Sequence, residues 1–423
     1  MNIHPPRLLS PLLFFALICC CSHAFCQEQP NVSDYIDPSS TYQTRDVDSV
    51  DVFNRRVSLN IPLLVDHSQR GNLNFTYSLR YATTTQWNIV NLGGNAGFAW
   101  RPAKGSISSP HFSMDGDLIY GTTVYDPCPG CPSYAYFARD EDGAIHYLGA
   151  TDQGGETADG SGIQVVSNIS VGTYLVDKKG LHFQQIDQSA GSPAYIQDPN
   201  GNRLTFTCSD QYQDCSLPSY TRTMTDTVGR TWTYQRQVSD VTGCPGNPVK
   251  ADIWDAPGAY GGTRQFKFCY SNVQIATQFQ EQGVAEYYNT VELLTALLLP
   301  NGAMWTFDYD TYGAILHVYL PTGGYITYGW GGLSPTQQRI LSSRTRFDGT
   351  NSSTWTYNPN SYIVSDPLGN DVTYTPEAQY LSTTVDCDNS IAQTQNYQGS
   401  SSSGTLLQTV SYTYQNLNNP LPA

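Results

Sequence analysis

Charge is what this chain has least of. Only 13% of its 423 residues are Asp, Glu, Lys or Arg, about half the ~25% usual in soluble domains. Basic residues are the scarcer kind: 21 Lys and Arg face 36 Asp and Glu, a formal net charge of -15. A basic surface for nucleic acid is therefore excluded, and the acidity serves solubility. Long apolar runs are also missing once the first 26 residues are passed. The longest, Leu293 to Leu299, is strand-sized and far short of the ~20 residues a helix needs to cross a bilayer. Catalytic signatures are absent too: no nucleophile elbow, no HExxH, no phosphate-binding glycine loop. Outside the leader the histidines are His67, His111, His146, His182 and His317, none with a metal-ligand partner at short spacing. The acidic pairs Asp115/Asp117 and Asp140/Asp142 have the oxygens a calcium site needs, but Asp-Gly pairs of this kind read as plain turns. No catalytic residue, cofactor or metal is expected, so the chain reads as non-enzymatic. An exported enzyme with no recognisable motif is the alternative.

Tyrosine, glycine and proline are abundant, at 30, 36 and 25. β-branched and aromatic residues punctuated by turn formers predict an all-β chain. Residues 1–26 read as a secretory signal peptide. Arg7 supplies the positive n-region and Leu12 to Ile18 the apolar h-region. Cys19, Cys20 and Cys21 follow Ile or Cys rather than a small residue, which argues against a lipid anchor. The mature protein is expected to be secreted or on the cell surface, with no transmembrane segment. Beyond the leader stand Cys128, Cys131, Cys208, Cys215, Cys244, Cys269 and Cys387. In an oxidising compartment disulfides are the default. Cys208 with Cys215, Cys244 with Cys269 and Cys128 with Cys131 are candidate pairs, Cys387 being left over. Spacing alone does not fix the connectivity. Cys128-Pro-Gly-Cys131 has no second CxxC and reads as a local loop rather than a redox or zinc half-site.

One phrase recurs: Pro, any, Gly, any, any, aliphatic or Trp, Thr, then Phe or Tyr. It begins at Pro199, Pro300, Pro321 and Pro367, and a fifth copy from Thr227 has Thr for Pro. The first half is turn chemistry. Pro presets φ and Gly201, Gly302, Gly323 or Gly369 closes the turn, with Asp198 and Asp366 in the position before Pro. The second half alternates as a strand does, with Trp305, Phe307 and Tyr309 on one face and Ile326, Tyr328 and Trp330 on the equivalent face of the next copy. Between those copies Tyr309, Asp310 and Gly313 make a second turn. The unit is turn, strand, turn, strand, repeated after roughly 21 residues.

The stretch LPNGAMWTFDYDTYGAILHVYLPTGGYITYGW resembles the YD repeat of Rhs and teneurin-type proteins, carried by Tyr309-Asp310, Gly313 and the following Pro-x-Gly turn. Asp226 to Arg230, with Gly229, is similar to the same family's D-x-x-G-R turn. The likeness covers about residues 195–235 and 290–375. It implies tandem β-hairpins in a curved, solenoid-like sheet, the architecture of a shell or surface scaffold. It also implies partners of two kinds, further repeats of the same type or a C-terminal effector. The aromatic stripe allows another role, a carbohydrate-binding or adhesive surface whose rings stack on cell-surface glycans.

The expected organisation is a signal peptide (1–26), a mobile arm (27–46) and an N-terminal β region (47–125). Diverged turn-and-strand units follow (126–190), including DEDGAIHYL and DKKGLHFQQI. Next come the repeat region (191–380), with an insertion at 236–290, and a polar, Ser-rich tail with one strand (381–423). Thr263 to Tyr270 and Thr409 to Tyr414 are strand candidates. Val291 to Leu299 has helical composition but falls where the repeat needs a strand.

Overall fold

In the computed structural model the described residues are 42–413, except 53–54, 67–72, 74, 83–86, 94–96, 103–110, 115–118, 126–132, 140–144, 149–154, 158–160, 169–171, 185–193, 210–214, 216, 334–338, 359–360 and 377–390. The signal peptide, Cys128, Cys131 and Cys387, and both acidic pairs lie outside them.

The described residues form β-structure throughout, with one short 3-10 turn at Ala259–Gly261. The largest sheet has 20 strands, from Gly155–Glu156 to Thr405–Ser411. Each strand pairs antiparallel with the next in sequence. The exception is the two-residue strand Val284–Ala285, which leaves to join another sheet. The expected solenoid-like sheet is thus an open meander, its first and last strands unpaired with each other.

Period-2 patterning explains the burial. Leu204 and Phe206, Trp232 and Tyr234, Trp305 and Phe307, and Ile326 and Tyr328 each point to one face and are buried. Across strands these side chains line up, Phe307 opposite Val318 and Val318 opposite Ile326. At ~25 cal/mol per Å2 of apolar area, these rows are the main favourable term.

A sheet of the N-terminal region covers that face. It orders Tyr42–Arg45, Asp48–Asp51, Val57–Asp66, Phe75–Ala82 and His111–Met114. Its Val57, Leu59, Ile61 and Leu79 share a single core with the repeat strands. Tyr77 stacks on Trp254 with ring centroids 3.8 Å apart. A second, smaller core forms where Trp87 and Trp100, on the hairpin Trp87–Asn91 and Phe98–Pro102, meet Ile275, Leu293 and Phe279.

Several expected boundaries are corrected. Residues 42–45, assigned to a mobile arm, form a strand paired with Asp48–Asp51. Ile119–Tyr125 leaves the N-terminal region to pair with Ser133–Arg139 in a separate three-stranded sheet, with Ile145–Leu148 on its other side. Residues 236–290 are no insertion: Pro248–Pro257 and Thr263–Ala276 are long strands in sequence order within the main sheet. Their buried Trp254, Phe266 and Phe268 continue the same apolar face without the Pro-x-Gly phrase. Residues 291–298 lie in the strand Tyr288–Leu298. The Ser-rich tail contributes two strands, Ile391–Gln398 and Thr405–Ser411, and the GSSSSG stretch is the turn between them.

Candidate functional site: a turn-lined margin and a buried polar seam

Because the strands alternate in direction, successive connections fall on opposite margins of the sheet. One margin carries the connections at 177–181, 198–202, 226–230, 258–262, 299–303, 320–324, 348–351, 366–370 and 399–404. The other carries the longer ones, among them 185–193, 209–220, 239–247, 277–287 and 377–390.

The tight turns share one backbone geometry. In the turn led by Asp198, Gly201 N–H donates to Asp198 O and Asp198 N–H donates to Asn202 O, both at 3.0 Å. The same two bonds recur in the turns led by Asp177, Asp226, Leu299, Asp310, Leu320 and Asp366. In all seven the fourth residue is Gly with φ between 78° and 93°. This is a type I turn followed by a left-handed residue, the three-residue hairpin loop that matches strand twist. Gly is required because any Cβ in that region clashes with its own backbone.

Five of the seven begin with Asp, and the carboxylate completes the turn. Asp198 Oδ1 accepts the N–H groups of Asn200 and Asn202, both at 2.9 Å. Asp177, Asp226, Asp310 and Asp366 accept the equivalent pair. The shared element is therefore Asp-x-x-Gly, one residue upstream of the recurring phrase. Pro199, Pro300, Pro321 and Pro367 all occupy the second turn position, whose φ they preset. Thr227 and Thr311 hold that position without Pro. In the Leu-led turn at Leu299, Asn301 Oδ1 accepts the Ala303 N–H instead, at 3.1 Å. The turn at Asp310 is the exception in place, since it closes a hairpin on the long-loop margin. There Tyr309 donates its hydroxyl to Leu294 O at 2.6 Å. Burial pushes the Asp310 carboxyl above its ordinary range despite Arg339, whose Nη2 lies 3.2 Å away.

Two disulfides brace the long-loop margin. Cys208–Cys215 and Cys244–Cys269 have Cα separations of 5.5 Å and 5.8 Å. Beside the second, Lys267 Nζ donates to Asp240 Oδ2 at 2.8 Å and Thr242 O at 3.0 Å.

The last position of the phrase separates copies with a polar partner from those without. Where it is Phe206 or Phe307, the ring sits in the core with no hydroxyl to satisfy. Where it is Tyr, the hydroxyl finds a partner. Tyr234 donates to Asp252 Oδ2 at 2.6 Å, where Tyr270, outside the phrase, also donates at 2.9 Å. Tyr328 donates to Asp48 Oδ2 at 2.7 Å, and Gln43 Nε2 donates to the Tyr374 hydroxyl at 2.5 Å. Burial, then the nearby carboxylate, pushes the Tyr270 and Tyr328 hydroxyls well above their ordinary values; Tyr234 shifts the same way, with Tyr270 adding to burial. The Asp48 site is the most elaborate. Arg344, fully buried, donates through Nε to Asp48 Oδ2 at 2.7 Å and through Nη2 to Asp48 Oδ1 and Asp46 Oδ2 at 2.8 Å. Its guanidinium also lies 5.1 Å from the Trp355 ring centroid. Burial opposes the charge, but the two carboxylates prevail and raise its pKa further. Asp48, Asp46 and Gln43 come from the N-terminal sheet and Tyr328, Arg344 and Tyr374 from the repeat sheet. This polar seam joins the two layers.

No protein-family model matches this chain. None of the curated proteins matches it either.

Among the described residues no cluster of His, Cys, Asp and Glu is arranged to hold a metal ion. His146 is buried, and His182 stacks on Tyr174 with centroids 5.2 Å apart. The stripe that offered a sugar platform as an alternative is core: Trp305, Phe307 and Tyr328 are buried, and Trp330 donates its indole N–H to Ile315 O at 2.8 Å. The seam residues were missed in sequence. Their signal was a carboxylate or guanidinium inside an apolar strand, as with Asp252 in ADIWDA or Arg344 in ILSSRTRF, unusual in a chain so poor in charge.

Proposed function

We propose that the chain is a non-enzymatic, exported structural protein of the Rhs/YD-repeat type. Its repeat sheet contributes to a β-shell or surface scaffold for effector delivery or cell-surface interaction. The observation that supports this is the Asp-x-x-Gly turn repeated along one margin of a meander. It is a device for extending a sheet, with turn residues whose oxygens are spent on their own backbone. Further repeats, in this chain or beyond it, and a C-terminal effector are the partners this role calls for. The two disulfides and the absence, among the described residues, of a helix long and apolar enough to cross a membrane accord with export.

The test is the reading frame after residue 423 together with the protein's location. Further Asp-x-x-Gly turns in frame, and recovery of the processed protein outside the cytoplasm, are the expected results. A stop codon directly after residue 423 would remove the shell, and retention in the cytoplasm would remove export.

A further inference from the structure

Three aromatic side chains stand on the face of the repeat sheet opposite the core. Tyr319, Tyr325 and Phe347 lie on adjacent strands, and the register sets Tyr319 directly opposite Tyr325 and Tyr325 directly opposite Phe347. Ring centroids are 5.9 Å and 4.9 Å apart along the row. Tyr319 is 37% exposed and Tyr325 and Phe347 are half-buried, whereas the inward Trp305 is 9% exposed and Tyr328 fully buried. The core therefore does not account for these rings.

The next row of the same face is polar. Asp308 is opposite His317, His317 opposite Thr327, and Thr327 opposite Thr345. The Tyr319 hydroxyl donates to Asp308 Oδ2 at 3.1 Å, tying the two rows together. His317 Nδ1 sits 3.6 Å from the same oxygen and is itself buried, the imidazole packing on Tyr319 and Tyr325 with centroids 5.6 Å and 6.4 Å away. A row of tilted aromatic rings, each packed on the next, thus runs beside a row of carboxylate, imidazole and hydroxyl groups, both stepping at the ~4.8 Å strand spacing.

We propose that this outer face binds an extended, uncharged hexose glycan. Sugar rings present C–H faces that stack on aromatics and hydroxyls at their rims that bond to carboxylate, imidazole and threonine. The two rows supply both, side by side, at a pitch close to that of successive sugar rings. Asp308 and the net charge of -15 select against acidic glycans. This site is not the stripe of Trp305, Phe307 and Tyr328; it lies on the other face and does not depend on the scaffold role.

Isothermal titration of the mature protein with cellohexaose, laminarihexaose, maltohexaose and mannohexaose tests it, with polygalacturonate as the acidic probe. At least one neutral hexaose should bind. Tyr325→Ala should weaken that binding at least tenfold, Tyr325→Phe should retain most of it because the ring remains, and Asp308→Asn should retain stacking while weakening affinity by a few fold. Melting curves of the variants confirm that each is folded. Three results overturn the proposal: none of the four hexaoses binds, polygalacturonate binds as tightly as the best of them, or folded Tyr325→Ala binds as wild type does.

Discussion

Replacing Arg344 by Met is the sharpest perturbation of the joint between the two sheets. It removes three charge-assisted hydrogen bonds at 2.7–2.8 Å and leaves Asp48, 2% exposed, with Tyr328 as its remaining partner from the repeat sheet. Breaking a buried ion pair from one side costs about 3–5 kcal/mol, because a charge stays buried without compensation. In a chain of this size that lowers Tm by about 4–6 °C. The double variant Asp48→Leu/Arg344→Met removes both charges, so more than half of the loss should return. The residue left over is the Tyr328 hydroxyl, worth about 1–3 kcal/mol when orphaned, and adding Tyr328→Phe should recover that as well. Denaturant titration followed by tryptophan fluorescence, with scanning calorimetry, measures the series. A loss below about 1 kcal/mol for Arg344→Met, or a double variant as unstable as the single, would refute the account of the seam as a desolvated ion pair.

Other predictions concern separate parts of the sheet. Gly201→Ala should cost about 1–2 kcal/mol: φ is +84° and no atom lies within 4 Å of an added Cβ, so the penalty is backbone alone. Gly201→Asn should cost less, since Asn tolerates the left-handed region. Replacing Cys244 by Ser opens a loop of sequence separation 25 and Cys208 by Ser one of 7. In the chain-entropy picture these changes cost about 3.5 and about 2 kcal/mol, and non-reducing peptide mapping should return both pairs. Burial pushes the Asp371 carboxyl up, but hydrogen bonds from Ser365 Oγ and from the Ser401 N–H and hydroxyl more than offset it, and its pKa is lowered. A depressed carboxylate contributes stability above its unfolded pKa of ~3.9, lost as pH falls through the folded value. Asp371→Asn should therefore flatten the fall in Tm below pH 4, and an unchanged acid limb would refute the assignment.

The meander was legible because its rules are local. Gly in the fourth turn position and alternation after it are visible in every copy, and both act within a few residues. In residues 236–290 the candidate from Thr263 to Tyr270 is part of the strand Thr263–Ala276, whereas Pro248–Pro257, which lacks the phrase, is recognised only by its neighbours across the sheet. The Ser-rich GSSSSG stretch carries no strand signal of its own, yet the Asp371 carboxylate, thirty residues away in sequence, holds Ser401. The seam was invisible for the same reason. Asp48 and Arg344 meet across 296 residues, and only folding shows that one answers the other. The stripe of Trp305, Phe307 and Tyr328 is core, whereas the outward row of Tyr319, Tyr325 and Phe347 is marked only by its register against neighbouring strands.

The difference between the two margins has a consequence for how such a chain can change. On the short-turn side six of the nine loops close with the same pair of backbone hydrogen bonds, so an added residue shifts the strands they join. On the other side, connections already range from three residues at 169–171 to the stretch at 377–390, with the strand order the same throughout. Length can therefore be written into one side of the sheet while the other keeps time. New sequence, and with it new specificity, can accumulate along a single face of growth without the architecture being renegotiated.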